Sequence, residues 1–282
     1  MTHSAAMLDE ALDALTCGKA VPYLGPGVLE LVPGGAPVPA SPEQLVARLT
    51  AKVSVSHKIR TRLTAAAQFI ENFKHRKTVV DLMKQAFANG ATPSALHRHL
   101  AALPNLPLVV DTWYDDAMER ALAGRVAWGQ AQGLSQTEHF GTWVGYYEAG
   151  GGAVPQEAAQ GWATLLYKPL GGISPVGNFL VSDSDFVEVL TEIDIQTPIP
   201  PRVQELRSGR SFLFLGFRFN DQLQRTFARQ IMKRSSDRHW AVLAGELTRN
   251  EQRFLTEQNI KRIDMPLHEF EALFADSVFT PA

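Results

Sequence analysis

The sequence predicts an α/β fold with a doubly wound parallel sheet, and three observations lead to this prediction. Continuous apolar segments alternate with helical segments through the second half of the chain. Such segments are typical of parallel strands covered on both faces, because neither face meets water. A first apolar segment lies at 19–24, and a long helical stretch separates it from the next one. We therefore expect a Rossmann-like sheet with a helical insertion between its first and second strands.

Length and composition are those of an ordinary folded protein. The chain has 282 residues, of which 45% are hydrophobic and 20% are charged. A chain of this length buries a sizeable core. We expect a single domain over 1–282, with a core formed by 17–29 and 105–273 and a helical insertion over 41–104.

Charge and hydropathy argue against several classes of partner. The 27 basic and 29 acidic residues nearly balance, which gives no argument for binding to nucleic acid or to a membrane surface. No apolar run reaches the roughly 18 residues of a transmembrane helix. The chain starts with acids at Asp9, Glu10 and Asp13, unlike a secretory signal. We therefore expect a cytoplasmic protein that binds no membrane, and the overall charge does not favour nucleic acid as a partner.

The first half of the chain is predicted to be mostly helical. Apolar residues with the spacing of one helix face indicate a helix over 4–16. Prolines and glycines over 30–44 indicate a loop after the first strand. Ser41, followed by Pro42 and Gln44, has the pattern of a helix N-cap. The helical insertion should begin there.

Six further apolar segments are predicted to be strands. They lie at 106–111, 164–172, 178–182, 211–217, 239–245 and 260–265. A glycine-rich segment over 148–156 is predicted to be a mobile loop. In doubly wound folds, ligands bind beyond the carboxyl ends of the strands. We therefore expect the turns at 25–27, 111–116 and 216–221 to converge on one crevice.

Several segments, taken in order, carry a resemblance to a known family. The segment "VPYLGPGV" resembles a first turn of Gly-Ala-Gly followed by an aliphatic residue and Ser, and "VVDTWYDDAMERAL" resembles a Thr-Asn-Tyr-Asp turn with its helix. "LLYKPLGGISP" resembles a Lys-Leu-His-Gly segment, and "NFLVSDSDFVEVL" resembles a helix start of the form Leu-Thr-x-x-Asp-Tyr. "LFLGFRFND" is similar to a late strand ending in Gly-x-x-x-x-Asp. Over about 17–273, the ordered set resembles the zinc-free SIR2-like (sirtuin-related) proteins of bacteria.

The resemblance implies a site for NAD or an ADP-ribose-like nucleotide, without a metal. Proteins of the family hydrolyse NAD or use it to remove acyl groups from lysine. The nucleotide-binding positions that the resemblance implies are Gly25, Pro26, Gly27, Thr112, Trp113, Asp115, Gly171, Gly216, Asn220 and Asp221.

Four positions depart from the family pattern. In the family, an Asn holds the ribose or a water and a His acts as general base, whereas this chain has Trp113 and Leu170 there. Trp113 offers only an indole N–H, and Leu170 moves no proton. Pro26 lacks a backbone donor, and Leu29 replaces the Ser. We therefore expect no catalytic residues and a degenerate protein that lacks NAD hydrolase and deacylase activity and acts as a nucleotide-binding or protein-interaction module.

Two alternatives stay open at this point. The first is an active NAD-consuming enzyme, such as a defence-type NAD hydrolase, that uses non-standard residues, with His139 as the candidate. The second is a nucleic-acid-associated accessory protein, because Arg225, Arg229, Lys233 and Arg234 form a basic stripe on a predicted helix. A solvated helix face is the simpler interpretation of that stripe.

Metal binding and disulfide formation are not expected. Cys17 is the only cysteine in the chain, so no internal disulfide or multi-thiolate zinc site forms. His97 and His99 are two apart on a predicted helix and point to different faces. We interpret them as surface or partly buried histidines.

Aromatic residues are expected at the crevice, and the chain is expected to assemble with other chains. Trp143, Tyr146 and Tyr147 are expected near the crevice, where they either stack on a base or fill the volume of a nicotinamide. The family resemblance also implies a homo-oligomer or a larger assembly with an unidentified protein partner.

Overall fold

A computed structural model describes residues 3–192 and 199–279, which contain eleven strands and ten α-helices. The strands are β1 (Ala20–Leu24), β2 (Leu108–Asp111), β3 (Trp128–Gly133), β4 (Val144–Glu148), β5 (Ala153–Val154), β6 (Thr164–Lys168), β7 (Gly171–Gly172), β8 (Asn178–Phe179), β9 (Ser211–Leu215), β10 (His239–Val242) and β11 (Ile260–Ile263). The helices are α1 (His3–Thr16), α2 (Pro42–Lys52), α3 (Leu63–Phe87), α4 (Ala95–Ala102), α5 (Ala117–Leu122), α6 (Asp183–Glu192), α7 (Pro201–Arg207), α8 (Gln222–Met232), α9 (Arg249–Glu257) and α10 (Leu267–Phe279).

Nine of these strands form one sheet in the order β11-β10-β9-β1-β2-β6-β3-β4-β5. The pairs from β11 to β3 are all parallel, and only β4 and β5 run antiparallel at one edge. Because β2 and β9 lie on opposite sides of β1, the sheet grows in both directions from β1 and is doubly wound. The predicted fold class is confirmed.

The central strands separate two hydrophobic layers. On β1, Val21 and Tyr23 pack into one layer, and the alternate residues Ala20 and Leu24 pack into the other. β9 behaves in the same way and is almost completely buried. A strand whose successive side chains enter two separate cores must be apolar throughout. This is why the parallel strands are visible in the sequence as continuous apolar segments.

The helical insertion consists of a short 3-10 helix (Pro26–Leu31) followed by α2, α3 and α4, all between β1 and β2. Ser41 begins α2 as predicted, because its Oγ accepts a hydrogen bond from the Gln44 amide at 3.2 Å. α3 is kinked at His75, whose φ is 68°. Among the described helices, α3 included, none is both long enough and apolar enough to cross a membrane.

The structure corrects the predictions for the segment between β2 and α6. β3 and β4 were not predicted, because glycines and glutamines interrupt their apolar pattern. The predicted loop at 148–156 contains β5, which pairs with β4 as a hairpin. The predicted strand at 178–182 does not join the main sheet, since only β8 forms there and it pairs with β7.

Candidate functional site

A cleft with a volume of about 370 Å³ lies beyond the carboxyl ends of five parallel strands: β1, β2, β9, β10 and β11. It spans the point where β2 and β9 diverge on either side of β1, which is where doubly wound folds bind ligands. The residues that line it are Pro26, Gly27, Glu30, Ala40, Ser41, Pro42, Glu43, Thr112, Trp113, Gly216, Phe217, Arg218, Asn220, Asp221, Gln224, Val242, Leu243, Ala244, Met265 and Leu267.

The two glycines of the first turn pack against the turn after β9. A Cβ on Gly25 would lie 2.5 Å from the carbonyl oxygen of Gly216, and one on Gly27 would lie 2.9 Å from the same atom. Gly216 has a φ of +64°, and its own Cβ would lie 2.4 Å from the Val28 nitrogen. Real Cβ atoms do not come this close to backbone atoms. Contact between two turns therefore explains these glycines without a ligand.

The amide groups of the first turn are already used within the protein. The Gly25 N–H donates to the Leu215 carbonyl at 2.9 Å, and the Gly27 N–H donates to the Gly216 carbonyl at 2.9 Å. The Val28 N–H donates to the Gly25 carbonyl at 3.3 Å. Pro26 has no N–H to offer. Residues 25–28 thus present no free donor of the kind that cradles a pyrophosphate.

Trp113 forms one wall of the cleft from the turn after β2. Its side chain is 3% exposed, and its indole N–H donates to the Pro39 carbonyl at 2.7 Å. Its ring meets Phe87 edge-on, with the centroids 6.1 Å apart. Both hydrogen-bond donors of the neighbouring Thr112 are also used within the protein, since its amide and its hydroxyl donate to the Leu24 carbonyl. The hydrogen-bond donors of Thr112 and the indole N–H of Trp113 are therefore used within the protein.

A buried ionic cluster holds the same turn from behind. Lys168 is fully buried, and its Nζ lies 2.8 Å from Asp111 Oδ2 and 3.8 Å from Glu119 Oε1. It also donates to the Asp115 carbonyl at 2.7 Å. The other oxygen of Asp111 accepts the Trp113 amide at 3.0 Å. Lys168 therefore connects β6 to both ends of the turn that carries Trp113.

The buried charged groups of this cluster shift one another's pKa values. Burial alone would lower the pKa of Lys168, but the surrounding carboxylates outweigh it and raise the pKa above its usual value. Burial and the charge of Asp111 raise the pKa of Asp115 to about 6. Burial raises the pKa of Glu119 to about 8, although Lys168 opposes the shift. One ammonium group cannot compensate three carboxylates, so Glu119 is protonated at neutral pH.

This protonation predicts a pH dependence of stability. The unfolded chain releases the Glu119 proton near the ordinary glutamate pKa of 4.5, whereas the folded chain keeps it up to about pH 8. The folded state binds more protons in this window, so stability falls as pH rises towards 8. We expect urea denaturation of the wild type to show this loss between about pH 5 and about pH 8, and Glu119→Gln to show a flatter profile over this range. The same slope in both proteins would contradict the assignment.

The turn after β9 supplies the opposite wall of the cleft. Arg218 pairs with the buried Glu251, with Nε–Oε1 at 2.9 Å and Nη2–Oε2 at 3.2 Å. It also donates to the carbonyls of Ala244 and Glu246. Asp221 caps α8, because its Oδ1 accepts the Gln224 amide at 3.0 Å. These side chains secure the loops around the cleft.

Seven of the ten predicted nucleotide-binding positions line the cleft: Pro26, Gly27, Thr112, Trp113, Gly216, Asn220 and Asp221. Gly25 is buried directly beside them. Asp115 lies instead in the ionic cluster, where its Oδ1 accepts the Ala117 amide. Gly171 belongs to the β7–β8 hairpin, in which its φ is +77°. Neither of these two residues lines the cleft.

The residue at the family's His position and the candidate His139 both lie outside the cleft lining. Leu170 is 1% exposed and packs in a hydrophobic core, outside the cleft lining. His139 lies in a turn, where its backbone amide donates to the Ser135 carbonyl, and it does not line the cleft either. The expectation that Trp143, Tyr146 and Tyr147 lie near the crevice is wrong. They lie on or next to β4, which is near the edge of the sheet opposite β11 and away from the strands that end at the cleft.

The other singled-out groups have structural roles. His97 is buried, not at the surface, and forms a capping box with Ser94 at the start of α4. His99 pairs with Glu271 at 3.3 Å. No group of three potential metal ligands occurs among the described residues. The predicted basic stripe is interrupted, because α8 ends at Met232 before Lys233.

The positions of some cleft residues could be predicted from the sequence, and the positions of others could not. Val242 ends β10 and Met265 follows β11, so their positions followed from the predicted strands. Glu30 lies in the 3-10 helix directly after the first turn, so its position followed from the predicted end of β1. Glu43 lies in the first turn of α2, where no local pattern indicated proximity to the strand ends, and only the folded position of α2 brings it to the cleft.

A comparison with protein-family models identifies the lineage of this chain. The model described as "SIR2-like domain" matches residues 107–263. This range covers more than half of the chain and includes Trp113, Leu170 and the turn at 216–221, but not the first turn. A search of curated proteins found no significant match. SIR2-like domains bind NAD-type nucleotides. The fold, the position of the cleft and the matched range agree, and the chain belongs to the SIR2-like domain family.

Proposed function

We propose that this chain is a SIR2-like protein that does not turn over NAD and that serves as a binding module. The observation that carries the proposal is the state of the two positions where the family resemblance expects Asn and His. Trp113 uses its only side-chain donor on Pro39, and Leu170 is buried in the core. Neither residue can hold a ribose hydroxyl, activate water or accept a proton.

The lining also fits an NAD-type dinucleotide poorly. A pyrophosphate at the switch point is normally bound by free backbone amides of a glycine turn and by a helix N-terminus. Here the amides of Gly25, Gly27 and Val28 are bonded internally, and Pro26 lacks one. Glu30, Glu43 and Asp221 add negative charge to the lining. Like charges in a partly enclosed cleft oppose binding of a dianion.

One observation favours the alternative of an active NAD hydrolase. Glu30 and Glu43 line the cleft with exposed side chains, and a carboxylate there could support an oxocarbenium-like ribose or activate water. The earlier candidate, His139, does not line the cleft. The alternative therefore now depends on these two glutamates.

Incubation of the purified protein with NAD tests the proposal. We expect no release of nicotinamide or ADP-ribose above the rate without protein, measured by liquid chromatography. The matched variants Glu30→Gln and Glu43→Gln should give the same background. Release by the wild type that either variant abolishes would overturn the proposal and establish the alternative.

The wider assignments remain proposals. We propose that the chain forms a homo-oligomer, which light scattering of the purified chain tests directly. We also propose that it has a protein partner and a cytoplasmic location. Nucleic-acid binding is less favoured, since of the predicted basic stripe only Arg225 and Arg229 lie on α8, and Arg225 donates to the Phe219 carbonyl at 2.6 Å.

A further inference from the structure

We propose that the cleft binds an organic cation, an ammonium or guanidinium group attached to an apolar body. The inference rests on the proposed function, because it names the ligand class of the same cleft. It starts from the charged side chains of the lining, which are Glu30, Glu43, Asp221 and Arg218.

The helix ends that face the cleft are already supplied with negative charge. Glu43 lies in the first turn of α2. Asp221 is the N-cap of α8 and accepts the Gln224 amide. A helix N-terminus attracts an anion because of its free amides and its dipole. Here Asp221 already caps α8 and Glu43 adds negative charge to the first turn of α2, so the attraction of both helix starts for an external phosphate is reduced.

Arg218, which carries the positive charge of the lining, is already paired within the protein. Both Nε and Nη2 of Arg218 contact the carboxylate of Glu251, which is fully buried. The remaining contacts of the guanidinium go to backbone carbonyls of Ala244 and Glu246. A guanidinium held on four acceptors has little capacity left for a ligand anion. Among the charged side chains of the lining, the three carboxylates are therefore the ones that favour a positively charged ligand.

Apolar side chains form the remainder of the lining. Trp113 and Phe217 lie on opposite walls, and Leu243, Met265 and Leu267 come from the loops after β10 and β11. Apolar walls provide contact area for the apolar body of a ligand, and the exposed carboxylates of Glu30, Glu43 and Asp221 attract its positive charge. A cavity of about 370 Å³ has the size of a small-molecule site. This combination favours an apolar ligand with one positive charge.

Two sources can supply such a ligand: a free amine, or a Lys or Arg side chain on a partner protein. Tryptamine represents the free amine, and indole-3-propionate has a similar indole body with a negative charge. For the protein source we choose the peptide acetyl-Gly-Trp-Lys-Gly-amide and its counterpart with glutamate in place of lysine. Tight binding of the free amine alone indicates a small metabolite, and binding of the lysine peptide indicates a protein segment.

Isothermal titration with these pairs tests the inference. We expect at least one cationic probe to bind about tenfold more tightly than its anionic counterpart at low salt, and the preference to shrink as salt is raised. The triple variant Glu30→Gln, Glu43→Gln, Asp221→Asn should remove most of that preference. Asn is also a good N-cap, so α8 keeps its start.

A matched control neutralises three exposed carboxylates outside the cleft, with Asp9→Asn, Asp13→Asn and Asp276→Asn. It should leave the preference unchanged. Equal or tighter binding of the anions, binding of none of the probes, or equal effects of the two triple variants would overturn the inference. Nicotinamide release from NAD in the same preparation would instead contradict the proposed function, so the two failures are distinguishable.

Discussion

Replacing Lys168 by methionine is expected to destabilise the fold by about 3–5 kcal/mol, the range seen when one member of a buried ion pair is removed. Methionine fills a similar volume but leaves Asp111 without its 2.8 Å partner and the Asp115 carbonyl without its donor. The remaining carboxylates must then take up protons to stay buried. Urea denaturation followed by circular dichroism measures the loss.

Two further variants separate the ionic effect from a change in packing. Lys168→Met combined with Asp111→Asn should recover part of the loss, because an uncharged amide costs less to bury than an unpaired carboxylate. Lys261→Met removes an exposed lysine on β11 and should change stability by less than about 0.5 kcal/mol. A loss below about 1 kcal/mol for Lys168→Met would show that the cluster is not needed for stability.

Replacing Trp113 by alanine is expected to cost about 3–5 kcal/mol and to enlarge the cleft. The side chain is 97% buried, and its indole N–H satisfies the Pro39 carbonyl. Truncation therefore creates a cavity and leaves a carbonyl without its donor. Denaturation measures the stability change, and a crystal structure of the variant measures the cleft.

Two variants place this result in context. Phe140→Ala removes a ring that is 95% exposed, so we expect a change within about 0.5 kcal/mol. Trp113→Phe keeps most of the packing and loses the indole donor, so we expect a loss of about 1–2 kcal/mol. If Trp113→Ala costs no more than Phe140→Ala, the packing and hydrogen bond of Trp113 do not stabilise the fold in the way described.

Much of the fold was predictable because parallel strands have a strong sequence signal. β1, β2, β6, β9, β10 and β11 each coincide with a predicted apolar segment. β3 did not have this signal, because Gln130 and Gln132 lie within it. Their side chains are buried but donate to the carbonyls of Ser174, Gly172 and Val176. Hydrogen bonds to distant backbone carbonyls satisfy the N–H donors of these amides, and no local pattern reveals such partners.

The site was predictable where it depends on strand ends and not where it depends on the insertion. The turns after β1, β2 and β9 converge as predicted, because neighbouring parallel strands end at the same edge. The charge of the cleft comes partly from Glu43, which lies in the first turn of α2 and is distant in sequence from the strand ends. Only the folded position of α2 shows that Glu43 belongs to the site.

The sequence by itself determined the fold class, the family resemblance and the replacement of the family's Asn and His by Trp113 and Leu170, since these depend on residue type and order. The tertiary structure alone decided what the first turn does. Its two glycines are typical of a pyrophosphate loop, but their amides bond to Leu215 and Gly216 and their missing Cβ atoms make room for the Gly216 carbonyl. The same residues serve either role, because a glycine accommodates a ligand and a neighbouring turn equally well.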